Sequence, residues 1–297
     1  MHHRRDVEIQ GEQDVILRAW LYVPQQASHK FPAISMCHGF AGIRQHALTR
    51  FAEYFAEAGF VVLLHDHRGF GASDGAPRHD IDPWLQVADW RRAISFLERQ
   101  PEVDKGRIGV WGTSYSGGHA LVLGATDPRV RCVVSQVPTI SGFEQTKRRV
   151  SPDAMPSFLA RLTDDLRRVH QGESPLMQAV VSSDPSIPAA YRASDAIAFY
   201  LMDVGDGEWE NQVTVRSSFA ASQYEPGLYV DRISPKPLMM LVATHDTITL
   251  TDLELKAYER ALEPKRLVLV PGGHFAPYTS EFSLASSAAA EWFREHL

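Results

Sequence analysis

One serine stands where a short apolar run stops and an alanine-rich one begins: Arg107-Ile108-Gly109-Val110-Trp111-Gly112-Thr113-Ser114-Tyr115-Ser116-Gly117-Gly118. A side chain on so tight a strand-to-helix turn projects clear of the backbone, and the amides that open the helix point at any anion forming beside it. The chemistry such a serine supports is nucleophilic attack. Small neighbours are needed because the turn strains the serine and presses the flanking chain against adjacent segments. The usual spacing is G-x-S-x-G; here Ser116 takes the second glycine position, and glycine follows at Gly117 and Gly118.

A serine hydroxyl attacks at neutral pH only when a base within reach removes its proton and a third group orients that base. Two downstream segments offer these groups: Thr244-His245-Asp246-Thr247 and Pro271-Gly272-Gly273-His274-Phe275, each following an apolar run. The expected set is Ser114 as nucleophile, His274 as base and Asp246 as orienting carboxylate. His245 is the competing base, but no further acid follows it in a suitable loop. His119 is expected to pack or cap locally, and Asp252 reads as a first-turn helix acid. A developing oxyanion needs N-H donors. The loop His38-Gly39-Phe40-Ala41-Gly42 and the start of the helix after Ser114 supply the expected pair, the backbone amides of Phe40 and Tyr115, each worth about 3 kcal/mol in a transition state.

Positioning these residues requires strands whose carboxyl ends share one rim. β-rich runs at 15–23, 33–37, 61–66, 108–111, 130–135, 238–243 and 267–270 alternate with helical patterns at 46–58, 84–100, 114–124, 251–262 and 280–296. Breakers at Gly59, Pro101 and Pro264 close three of the helices. The alternation predicts an α/β fold with a doubly wound, mostly parallel sheet. Residues 139–230 break it, with charged helix-forming stretches, loop signals at 182–185 and Gly205-Asp206-Gly207, and aromatics without strand alternation. They read as a helical cap inserted between two late strands, dividing the core into 1–138 and 231–297. Such a cap would sit over the carboxyl ends of the strands. Trp84, Phe143, Trp209, Phe219 and Phe275, with Phe40, are the expected pocket walls.

The chain has 297 residues, is 44% hydrophobic and carries a net charge of -6 with no block of like charge. That composition predicts a buried core and argues against nucleic acid or anionic membrane, and the partner expected from the serine chemistry is a small-molecule substrate. Met1-His2-His3-Arg4-Arg5 leads straight into polar sequence and no later stretch approaches 18 apolar residues, so a cytoplasmic location is expected. Cys37 and Cys132 lie in apolar runs without metal-site spacing and are expected as free buried thiols. No cofactor and no metal are called for, and the sequence leaves a homo-oligomer open.

Together, His38-Gly39-Phe40, the run from Asp66 to Gly75, Gly112 to Gly117, Asp246 and His274 resemble the α/β-hydrolase superfamily, in order and spacing, over nearly the whole chain outside residues 139–230. The Ser114-Tyr115 elbow with its displaced glycine is similar to the X-Pro dipeptidyl-peptidase-like and cocaine-esterase-like branch, and the run from Val103 is similar to dienelactone-hydrolase-like enzymes. The resemblance implies acyl transfer through an acyl-enzyme, with Asp66 and Arg68 bonding backbone rather than substrate. It also implies that a cap tyrosine, Tyr191 or Tyr200, can supply an oxyanion hydroxyl. The leading expectation is hydrolysis of a carboxylic ester, lactone or thioester of a small to medium apolar acyl group. The alternatives are transfer of the acyl group to an alcohol or amine, carbon-carbon bond hydrolysis, and an X-Pro-type aminopeptidase. The last needs an acidic anchor for an amine; Glu208 and Glu210, flanking Trp209, are candidates, but they read better as solvated surface charge.

Overall fold

The computed structural model describes residues 2–25, 30–205 and 207–297; Met1 and Asp206, at the centre of the expected loop at 205–207, lie outside them. In chain order the elements are β1 (His2–Gln10), β2 (Ile16–Pro24), β3 (Phe31–Cys37), α1 (Leu48–Glu57), β4 (Val61–His65), α2 (Pro83–Glu98), β5 (Val103–Thr113), α3 (Tyr115–Thr126) and β6 (Val130–Gln136). Next come α4 (Gly142–Arg149), α5 (Met155–His170), β7 (Met177–Val181), β8 (Ala189–Tyr191), α6 (Ser194–Tyr200), β9 (Val213–Thr214) and α7 (Val215–Ser222). The chain closes with β10 (Leu238–Ala243), α8 (Thr251–Arg260), β11 (Lys265–Val270) and α9 (Phe282–His296).

Eight strands form one sheet in the order β1-β2-β4-β3-β5-β6-β10-β11. The pairs from β4 to β11 are parallel, while β2 runs antiparallel to both β1 and β4. The parallel strands are apolar on both faces because helices cover each side, and β4 and β10 are buried at every residue. Trp90, Trp111, Phe51, Phe55 and Phe293 fill the layers between sheet and helices. A hydroxyl inside that layer is matched: Trp90 Nε1 donates to Ser35 Oγ at 2.8 Å.

From β3 the chain steps outward to β4, then crosses back to place β5 on the other side of β3. Strand order therefore reverses between β3 and β5, and a crevice opens beyond their carboxyl ends, where open α/β sheets bind ligands. Cys37 pairs with Gly112 in register at that point. The loop after β3 and the turn after β5 are thus forced to be neighbours.

Strand β1 has no counterpart among the expected elements. Its run HHRRDVEIQ is charged, and Ile9 alone is buried, because an edge strand paired on one side needs little apolar face. The 142–222 region is not helical throughout. Among the described residues it holds four helices and a small sheet ordered β8-β7-β9, whose Val180, Val181 and Val213 are buried. These runs are too short for a period to show in sequence. The helix starts are chemically legible: Asp82 accepts from the Trp84 and Leu85 amides with Pro83 in the first turn, and Ser141 accepts from the Glu144 amide.

Candidate active site

Ser114 ends β5 and opens α3 with φ 57° and ψ -120°. A non-glycine residue there costs about 1–3 kcal/mol and persists only where the surroundings over-determine it. The restraints are visible. Ser114 N donates to Gln136 O at 2.8 Å, and Thr139 N donates to Ser114 O at 2.9 Å, tying the turn to the end of β6. A Cβ on Gly112 would lie 2.0 Å from Ser116 O, so the approach of strand to helix excludes any side chain there.

Strands β10 and β11 deliver the other two groups. His274 Nε2 lies 3.0 Å from Ser114 Oγ, and His274 Nδ1 lies 2.7 Å from Asp246 Oδ2. All three residues are buried, with Ser114 9% exposed and His274 2%. Asp246 also accepts from Ile248 N at 2.7 Å, Thr249 N at 2.9 Å and Thr249 Oγ1 at 2.8 Å. Desolvation alone would raise its carboxyl. The attraction and hydrogen bond of His274, with the Thr249 donors, outweigh it and hold the group below the ordinary carboxylate value, so the charge is kept. Thr249 is the site residue that the sequence reading missed; its signal was an Asx-type turn after β10. Beneath lies Glu254, whose buried carboxyl is pushed well above its usual value by desolvation and then by the Asp246 charge.

The competing groups lie elsewhere. His245 is exposed and its Nδ1 contacts Thr244 Oγ1 at 2.8 Å. His119 is buried between Tyr224 Oη at 2.8 Å and Gln86 Oε1 at 3.0 Å. Asp252 pairs with Arg148 on the surface.

The loop after β3 passes directly over Ser114, and a Cβ on Gly39 would come within 2.8 Å of Ser114 Cβ. The Phe40 amide follows Gly39 in that loop and the Tyr115 amide opens α3 next to Ser114, and neither has an acceptor among the described residues. The departure from the usual elbow spacing has a structural use. Ser116 Oγ donates to the His38 carbonyl and lies 2.8 Å from His67 Nε2, while His67 N donates to His38 Nε2 at 3.1 Å. Ser116 therefore ties the turn to the loop. Tyr200 adds a second tie, donating its hydroxyl to Phe40 O at 2.6 Å. Asp66 accepts from the Arg44 and Ala72 amides as the resemblance implied, but Arg68 differs. Its main partner is the Asp89 carboxylate at 2.6 and 2.9 Å, with the Glu12 carbonyl as its backbone bond.

Two cavities meet at Ser114. A small one is walled by His274, Phe275, Phe199, Tyr200 and Tyr278, with Phe275 stacked on Phe199 at 4.5 Å. The other, of about 610 Å³, runs from Phe40, Ser114 and Tyr115 under α4 and α5 to Tyr191. The expected aromatic walls fare unevenly. Phe275 and Phe40 line the small cavity. Trp209 stands behind it, stacked on Tyr200 with Nε1 donating to Ala41 O at 2.8 Å. Trp84 is 52% exposed against Tyr224 and Tyr229, and Phe143 is 61% exposed on the first turn of α4. Phe219 lines a separate hollow of about 970 Å³ beside Arg68 and Arg216, which contains none of Ser114, His274 and Asp246. Aromatic type alone did not carry position, because each of these rings found a surface or inter-element contact of its own.

Both cysteines are free and buried. Among the described residues one group, Cys37, His65 and His67, could hold a metal ion, with ligand atoms within 4.8 Å of one another. Burial pushes the Cys37 thiol up and the two imidazoles down, so the uncharged forms are favoured. No helix among the described residues is long and apolar enough to cross a membrane.

Known proteins share this architecture. A thiohydrolase of Eupenicillium brefeldianum is 30% identical over 277 residues, covering 91% of this chain and 87% of its own. The quorum-quenching protein AidA of Acinetobacter baumannii is 32% identical, covering 90% of this chain and 87% of its own. The polyketide transferase grgF of Penicillium sp. is 32% identical over 91% of this chain and 89% of its own, and the crystal structure of that α/β hydrolase superposes with a TM-score of 0.86, covering 99% of each chain. An esterase of Pyrococcus furiosus, 18% identical with a TM-score of 0.67 over 99% of this chain and 93% of its own, shares the fold. The profile of the X-Pro dipeptidyl-peptidase (S15) family matches residues 13–276. With the sheet order and the Ser114 turn described above, these likenesses show that the chain belongs to the X-Pro dipeptidyl-peptidase (S15) family and is an α/β-hydrolase enzyme.

Proposed function

We propose that the protein is a serine hydrolase that cleaves a carboxylic ester, lactone or thioester through an acyl-enzyme on Ser114. The observation that carries this reading is the hydrogen-bonded chain Ser114 Oγ, His274, Asp246, at 3.0 and 2.7 Å, set in a strained turn at the crevice of the sheet. Ser114 Oγ attacks the carbonyl carbon as its proton passes to His274 Nε2. Asp246 holds the Nδ1 proton of the imidazole and balances its positive charge. The tetrahedral oxyanion is met by the Phe40 and Tyr115 amides. His274 then protonates the leaving oxygen or sulfur, and water, deprotonated by the same nitrogen, releases the acid and restores the hydroxyl.

The relatives named as a polyketide transferase and a thiohydrolase favour one second reading, acyl transfer to an alcohol or amine. Chemically it differs only in which nucleophile reaches the acyl-enzyme, and the near-complete burial of Ser114 suits exclusion of water. An aminopeptidase reading is disfavoured by charge. Among the described residues no Asp or Glu lines the 610 Å³ cavity, whereas three arginines do, so a cationic substrate terminus would meet repulsion. Glu208 and Glu210 are both exposed, and neither lines a cavity that contains Ser114.

Hydrolysis of p-nitrophenyl butyrate is the test, with mass spectrometry of a fluorophosphonate adduct. Ser114→Ala should lose about 10⁴-fold or more in kcat while keeping its melting temperature, and the adduct should map to Ser114. Full activity in the variant, or labelling of another residue, refutes the mechanism. Adding an alcohol and quantifying acid against new ester separates hydrolysis from transfer.

A further inference from the structure

The geometry points to a substrate that carries an anionic group, a carboxylate or phosphate, held by Arg149, Arg161 and Arg192 at the cavity beside Ser114. The inference rests on the serine-hydrolase reading and names the class of substrate that reading leaves open.

Three guanidinium groups line this cavity and, among the described residues, no carboxylate does. None of the three lies within 4.0 Å of a described acidic side chain, although arginine pairing is common elsewhere in the chain: Arg68 with Asp89, Arg129 with Asp127, Arg216 with Asp80. The contrast is sharpest between neighbours. Arg148 turns outward to bond both oxygens of Asp252, whereas Arg149 sits over the Tyr191 ring at 4.8 Å and donates to the Ile248 carbonyl at 3.3 Å. Arg192 donates to the carbonyls of Asp184 and Ile187 at 2.8 and 2.7 Å, which fixes its direction without neutralising it; the nearby Asp184 carboxylate feels its charge. Arg161, half-buried on α5, has no hydrogen bond or ion pair among the described residues.

In a protein of net charge -6, three cations gathered around one opening are a local reversal of sign. Part-enclosed apolar walls, here Phe40, Val150, Phe158 and Ile248, focus such a field and raise the local concentration of anions. Guanidinium forks suit the paired oxygens of carboxylate and phosphate. A volume of about 610 Å³ leaves room for a chain of several carbons between the carbonyl at Ser114 and the charge at the arginines.

The anion can belong to the acyl part or to the leaving group, and two substrate pairs distinguish these sources. p-Nitrophenyl hydrogen adipate against p-nitrophenyl hexanoate places it on the acyl side; butyryl-coenzyme A against butyryl-N-acetylcysteamine places it on the leaving side. At low ionic strength the anionic member of one pair should be preferred in kcat/KM by about tenfold or more, and added salt should erode the preference. Arg149→Gln and Arg161→Gln should each pull the anionic-to-neutral ratio towards one. Turnover of the neutral substrates with no anionic preference in either pair, or a ratio unmoved by salt and by both variants, overturns the inference while leaving the serine mechanism standing. No turnover of any substrate together with no fluorophosphonate adduct at Ser114 means that the serine reading has failed, and the anion site falls with it.

Discussion

Replacing Asp246 with asparagine keeps shape and removes one charge, and the surrounding donors dictate how the new side chain must sit. Oδ1 accepts from two backbone amides, Ile248 N at 2.7 Å and Thr249 N at 2.9 Å, which cannot turn away. An asparagine must therefore leave its carbonyl oxygen at that position, since the reverse orientation would set its NH₂ against two N-H groups and lose two buried hydrogen bonds, at about 1–3 kcal/mol each. Its NH₂ then faces Thr249 Oγ1 and His274 Nδ1, at the places now 2.8 and 2.7 Å from Oδ2. The threonine hydroxyl can rotate to accept. The imidazole can accept at Nδ1 only by moving its proton to Nε2, which points that proton at Ser114 Oγ and removes the base. Loss of the correct tautomer corresponds to about 10⁴-fold in kcat, or about 5 kcal/mol. Steady-state hydrolysis of p-nitrophenyl butyrate measures the fall, and nitrogen NMR of the His274 ring reads the tautomer directly. A folded Asp246→Asn variant that retains more than about a tenth of the activity would refute the assignment of Asp246 as the orienting acid.

Two further predictions concern the elbow and the core. Ser116→Ala removes the donor to the His38 carbonyl and the contact with His67 Nε2, leaving two buried partners unsatisfied. Stability should fall by about 2–4 kcal/mol in denaturant titration, and kcat by about tenfold to a hundredfold with little change in KM, because the loop bearing the Phe40 amide is loosened; unchanged kcat would show that this tie does not position the loop. Burial holds His38 and His46 down to about 4, and His65 and His119 down to about 3. In the unfolded chain they titrate near the ordinary value of about 6.5, so below that pH the unfolded state binds more protons and stability falls with pH. By pH 5 each costs about 2 kcal/mol, and the four together rival a typical total stability of about 5–15 kcal/mol. The depressed Asp246 carboxyl acts in the same direction but only below about pH 4. The melting temperature should drop steeply between pH 6.5 and 5; a flat profile would refute neutral burial of these rings.

Some of this architecture was legible along the chain because its signals are local. The apolar runs at 61–66, 108–111, 130–135 and 238–243 match β4, part of β5, β6 and β10 closely, since parallel strands covered on both faces must be apolar throughout. Ser114, Asp246 and His274 each come after such a run, so the residues that the structure brings together were named by position. The walls of the cavities were not legible. Trp84, Phe143 and Phe219 are aromatic residues whose surroundings, an inter-element surface, a solvent face and a separate hollow, leave no mark in local sequence. β1 escaped notice because an edge strand carries few apolar residues, and β7, β8 and β9 because runs of two to five residues show no period.

What the sequence determined by itself was the alternation of the doubly covered strands with their helices and the chemical types at strand ends, because backbone preference and two-sided burial act over a few residues at a time. Tertiary structure alone decided which distant groups share a space. It placed Thr249 on Asp246, Ser116 on the His38 carbonyl, and Arg149, Arg161 and Arg192 around one cavity with no described carboxylate in its wall. Those relations depend on strand order and on the path of the 142–222 region beside Ser114, and both arise from the packing of the whole chain rather than from the preferences of any one segment.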